Sequence, residues 1–172
     1  MKKSVAFIED LRRAVLSALS TEESTTTSGP ALGIYVEIRT DESEMDDELL
    51  DDMSGILDLC EDRLQLAGFA LPLKNSNAVL GVKLLPASGE EQQRHRAHAQ
   101  ELAAGLIKAI DQRLNPDPRL RVFIGLHVDL AIFQEQGAEI DVTGGRILRV
   151  ESWVPRAPVE GLVVSDAFSG SS

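Results

Sequence analysis

The stretch LRVFIGLHVD, Leu120 to Asp129, continues to Phe133 with few breakers. Its β-branched and aromatic residues predict a strand or strand pair over 120–133. A turn signal at Gln136-Gly137 precedes EIDVTGGRILRVESW, Glu139 to Trp153. Within it, Ile140 to Thr143 reads as a strand and Arg146 to Val154 as a short helical stretch. The chain then offers a last strand in GLVVS, Gly161 to Ser165, and a frayed tail over 169–172.

Upstream, LGIYVEIR from Leu32 to Arg39 reads as a strand. Asp46 to Ala67 is expected to be a helix, because Leu49, Leu50, Met53, Ile56, Leu57, Cys60 and Leu64 fall on one face and Gly68 can close it. Phe69 to Leu73 and Ala78 to Leu85 flank Lys74-Asn75-Ser76-Asn77 as a hairpin. A second long helix spans Glu90 to Leu114, with Leu102, Leu106, Ala109, Ile110 and Leu114 inward, and stops at Asn115-Pro116. The order βαββαβ, with a smaller αβ appendix, is an α+β, ferredoxin-like arrangement. Before it, Val5, Ile8, Leu11, Val15 and Leu19 make the stripe of an amphipathic helix within residues 1–20. Residues 21–30, rich in Ser and Thr and ending in Gly29-Pro30, read as a linker, so the folded domain is expected over 31–168.

Composition bounds the function. The chain has 172 residues, with 17 Lys+Arg against 28 Asp+Glu and a net charge of −11. No basic stripe is visible, and nucleic-acid binding, which draws its affinity from neutralised phosphates, is not expected. With 43% hydrophobic and 26% charged residues the composition is that of one globular domain. The longest apolar candidate, 120–133, contains Arg121, His127 and Asp129, well short of the roughly 20 apolar residues of a membrane span. Glu9, Asp10, Arg12 and Arg13 break any secretory apolar run near Met1-Lys2-Lys3, so a cytoplasmic protein is expected.

The segments LRVFIGLHVD, EIDVTGGRILRVESW and GLVVS together resemble the C-terminal half of a class III nucleotidyl cyclase catalytic domain, where RxGxHxG, YDxxGxxVNxAxRLE and PGxIxVS follow one another. The first half fits in outline, and the likeness covers about Leu32 to Phe168. It implies the adenylate or guanylate cyclase fold, with Mg or Mn and ATP or GTP as the ligands of an active member. It also implies an active site formed between two domains, hence a homodimer or pairing with another cyclase-like or signalling protein.

Carried over position by position, the resemblance puts the first metal aspartate on Glu37 and the second on Asn77, with Ser76 where the family has Gly. The purine-selecting Asp falls on Asp141 and the purine-selecting Lys within one position of Lys74. The Asn and Arg that orient ribose and stabilise the transferring phosphate fall on Leu148 and Ser152. Losing such an arginine removes charge that acts in the transition state, so a catalytically degenerate domain is expected. Arg146 and Arg149, within one helical turn, are the available compensation.

Plainer readings stand beside these. Glu37 can be a strand-edge charge, and Asp141 can bond only its own turn. His127 has a structural histidine as its default. His95 and His98 share a helix start without a third ligand nearby in sequence. The acidic run Asp41, Glu42, Glu44, Asp46, Asp47, Glu48, Asp51, Asp52 lacks calcium-loop spacing and suits a helix N-terminus. Cys60 reads as core. Trp153 either fills nucleotide space or is core. Three functions follow: an interaction or dimerisation module, one half of a heterodimeric cyclase, and a purine nucleotide sensor without turnover.

Overall fold

The computed structural model describes residues 8–15, 24–41, 43–156 and 160–170. Its backbone is organised by one long antiparallel ladder. β1 (Thr25–Thr40) pairs with β4 (Leu120–Gln136) from Thr25↔Glu135 to Thr40↔Leu120. On the other side of β1 lies β3 (Ala78–Leu84), and β2 (Ala70–Lys74) completes that edge. The far side of β4 carries β5 (Glu139–Gly144), antiparallel, and β6 (Gly161–Val164), parallel, at its two ends. The order β2-β3-β1-β4 is that expected of βαββαβ.

The crossover helices are α2 (Asp47–Leu66) and α3 (Gly89–Ala109), the latter continuing as a π turn to Leu114. Both pack on the face of the sheet carrying Leu32, Ile34, Val36, Ile38, Ile124 and Leu126. Asp46 caps α2 by accepting from the Leu49 N–H at 2.8 Å, and Gly68 beyond its end has φ +84. Cys60 is buried in this layer, and burial, helped by Glu61, pushes its thiol up to about 12.

The opposite face, with Tyr35, Leu80, Val82, Phe123 and Phe133, is covered by residues 145–154. This segment is two 3₁₀ turns, Arg146–Leu148 and Val150–Ser152, rather than the expected helical stretch. The segment is short, contains β-branched Ile147 and Val150, and meets Pro155, which disfavours helical geometry at Val154. It lies close to the sheet because Gly33 and Gly125 leave room: a Cβ at Gly33 would stand 2.9 Å from Ile147 Cδ1, and one at Gly125 3.3 Å from Trp153.

Two boundaries are corrected. Thr25 to Pro30, expected to be linker, is strand. The cause is β4, whose 17 residues extend past β3 and give those threonines a partner. Pro30 is tolerated because β3 ends opposite Ala31, so the missing N–H falls where β1 becomes an edge. Residues 21–23 and most of 1–20 lie outside the described residues; 8–15 form a helix, α1, with Ile8, Leu11 and Val15 exposed. At the C-terminus Ser169 belongs to α4 (Asp166–Ser169), whose Phe168 is buried, and Arg96 donates to the carbonyls of Ala167 and Phe168. Residues 171–172 lie outside the described ones.

Candidate functional site

Alternation along β1 sends Tyr35, Glu37 and Arg39 to the face opposite α2 and α3. Glu37 is tied up there: Arg39 Nη2 lies 2.8 Å from its Oε2, and the guanidinium sits 5.4 Å above the Phe123 ring. The bond to Glu37 raises the Arg39 pKa against the effect of burial. Asn77 is held next door by the hairpin turn, whose Asn75 Oδ1 accepts the N–H of both Asn77 and Ala78. The Asn77 carbonyl accepts the Ile38 N–H at 2.8 Å, and its amide points toward the Ile38 carbonyl at 3.5 Å. The positions matched to the two metal ligands are therefore adjacent, as the resemblance implies. Their chemistry does not fit a pair of divalent cations, because Arg39 neutralises the one carboxylate and Asn77 brings no charge. Among the described residues no cluster of three His, Cys, Asp or Glu side chains could hold a metal.

The other matched positions are scattered. Lys74, at the end of β2, is paired with Glu61 on α2 at 2.5 Å. Asp141 is exposed on β5 and lines a cleft of about 540 Å³ with Gln65, Phe69 and Ala70 to Pro72. Lys74 is not among the residues lining that cleft. Leu148 is packed, half-buried, into the layer over the sheet. Ser152 is exposed, and its hydroxyl donates to the Arg149 carbonyl at 2.7 Å. Neither compensating arginine meets Glu37: Arg146 Nε lies 2.9 Å from Asp129 Oδ1, and Arg149 is exposed.

A second constellation surrounds His127. Its Nδ1 shares a hydrogen bond with Ser165 Oγ at 2.8 Å, its Nε2 lies 3.5 Å from Asp129, and its ring stacks on Trp153 at 4.7 Å. Trp153 also meets Tyr35 edge-on and donates from Nε1 to the Ile147 carbonyl at 3.2 Å. Burial lowers the His127 pKa, with Asp129 pulling the other way. Trp153 is thus part of the covering layer. His95 and His98 do face one way, into a cleft of about 470 Å³ shared with Lys83 and Glu101.

Sequence reasoning missed Arg39 as the partner of Glu37. The signal for Arg39 was available, since a residue two positions from Glu37 on a strand shares its face.

The sequence matches no protein-family model and no curated protein sequence. Solved structures do match. The adenylyl cyclase CyaB from P. aeruginosa aligns over 85% of this chain and 81% of its own, at TM-score 0.62 and 16% identity. The chain has the class III nucleotidyl cyclase fold. The guanylate cyclase domain of RhGC from Catenaria anguillulae, solved with GTP, aligns over 84% and 82%, at 0.60 and 14%. The guanylyl cyclase domain of the RhoGC fusion protein from the aquatic fungus Blastocladiella emersonii, in a dimeric form, aligns over 87% and 86%, at 0.60 and 12%. In this cyclase-type domain the helices, hairpin and long central strands are those of the fold. No helix among the described residues is long and apolar enough to cross a membrane.

Proposed function

We propose that this cyclase-type domain is catalytically degenerate and acts as a regulatory module through protein contacts, pairing with itself or with another cyclase-like or signalling protein. The observation that carries the reading is the Glu37–Arg39 pair, which places a guanidinium on the only carboxylate at the matched metal positions. Leu148 and Ser152, where a transferring phosphate needs an amide and a cation, support it. A half-site in a heterodimeric cyclase has less support, because Glu37 would first have to be released from Arg39.

Support for pairing comes from α1, where Ile8, Leu11 and Val15 form an apolar stripe that is 61%, 56% and 50% exposed. A cytoplasmic location goes with this reading, and a single buried, unbridged cysteine suits a reducing compartment. The test is incubation of the purified chain with ATP or GTP and Mg²⁺ or Mn²⁺, with light scattering in parallel. No cyclic product and a dimer are expected; product from this chain alone would end the degenerate reading. Leu11→Glu should weaken self-association at least tenfold, since a charge on an apolar contact must be desolvated. An unchanged dimer would remove α1 from the interface.

A further inference from the structure

Lys83, on β3, is a half-buried cation. Its ammonium donates to the Ala67 carbonyl at the end of α2, at 2.9 Å, and stands 5.7 Å from the centre of the Phe69 ring. Among the described residues it forms no ion pair, in a chain of net charge −11. A helix C-terminus suits a cation, but that carbonyl takes only one of three N–H donors and offers only a partial charge. Gly68 places no side chain over the group, where a Cβ would lie 3.5 Å from Lys83 Nζ.

This ammonium stands at the wall of the cleft of about 470 Å³ on the helix side of the sheet, into which His95 and His98 face. His95, His98, Ala99 and Leu102 follow one another on one side of α3 at spacings of three and four. Ala99, the buried one of the four, is small, and space beside the buried Leu32 and Phe69 stays open. The cleft thus joins an apolar floor to an ammonium and two imidazoles.

We propose that this cleft binds a small amphipathic carboxylate, its headgroup on Lys83 and its hydrocarbon body against Leu32, Phe69, Ala99 and Leu102. A charge-assisted bond to the two remaining ammonium donors neutralises the cation, and the body covers apolar surface that the helix leaves open. His95 and His98 add ring N–H donors at the rim. A carboxylate fits better than a phosphate, because one ammonium balances one charge and no arginine is among the residues lining the cleft. The competitor is Glu101, exposed at the rim. Such a ligand makes the domain responsive to a small organic acid, whether or not it pairs with another protein.

The experiment is calorimetric titration of the full chain with octanoate, octan-1-ol and inorganic phosphate. Saturable octanoate binding is expected, with octan-1-ol about tenfold weaker for want of one charge-assisted bond. Lys83→Met, which keeps an apolar stem over Phe69 and removes the charge, should weaken octanoate about tenfold and bring it level with octan-1-ol. Glu101→Gln, which removes the competing carboxylate, should tighten octanoate severalfold. A weakened Lys83→Met sustains the site whatever Glu101→Gln does; if Lys83→Met does not fold, Glu101→Gln decides alone. Absence of octanoate binding, equal affinities for octanoate and octan-1-ol, phosphate as tight as octanoate, or an affinity unmoved in the deciding variant would overturn the site. None of those results bears on cyclic product or on dimerisation, so the proposed function stands or falls separately.

Discussion

His127 is half enclosed by groups from three elements: Asp129 on its own strand, Ser165 at the end of β6, and Trp153, with Arg146 engaging Asp129 from the covering segment. Its folded pKa is lowered from the ordinary 6.5, so the unfolded chain takes up the proton more readily than the folded one. The stability that follows is present above that value and is lost as pH falls below it. Melting temperatures at about pH 7.5 and about pH 5.5 should show a drop that His127→Gln reduces; equal drops would assign the sensitivity elsewhere. Trp153, the only tryptophan, gives a second readout, because an imidazolium stacked on an indole quenches its emission. The default structural role of this histidine was legible in the sequence. Asp129 could have been read as its neighbour, two positions on along a strand face. Ser165 and Trp153 could not, since only the parallel pairing of β6 with β4 and the course of residues 145–154 bring them there.

The segment over 145–154 depends on one backbone position. Gly145 has φ +103, and a Cβ there would lie 2.3 Å from the Leu130 carbonyl oxygen. Because that neighbour is backbone, Gly145→Ala should cost at least about 2 kcal/mol, read as a lower denaturation midpoint. Trp153→Ala, which removes contacts with both His127 and Tyr35, should cost about 2–4 kcal/mol. If either variant melts like the wild type, the covering layer contributes little to folding. Periodicity found α2 and α3 within a few residues, because each has one apolar face and a stop signal, Gly68 or Asn115. It misread Thr25 to Pro30, where Ser, Thr, Gly and Pro look like a connector until a longer partner strand is present. The same limit applied to Arg146–Leu148 and Val150–Ser152, since a short apolar stretch holds no period long enough to separate α from 3₁₀ geometry.

A chain of net charge −11 repels itself as a compact body, and its few acids with strong partners act as internal ties. Asp117 is the clearest. Two hydrogen bonds from the Arg119 side chain and one from its N–H hold the carboxyl down at about 2, and its own N–H donates to Asp52 on α2. A depressed folded pKa means stability that is full above the ordinary carboxylate value, near 3.8, and lost as pH falls from there toward about 2. Asp117→Asn should therefore flatten the acid limb of an unfolding titration; an unchanged limb would show that other carboxylates dominate it. The β1–β4 ladder has a different consequence, in time rather than in energy. Its nearest partners, Thr40 and Leu120, are separated by both crossover helices and the hairpin, and its most distant, Thr25 and Glu135, by more still. A ladder of such sequence separation closes late, because the entropy of the intervening loop is lost before the pairing rewards it. During synthesis β3 can pair with Ala31–Glu37 first, whereas Thr25 to Pro30, which β3 does not reach, must wait until β4 has emerged.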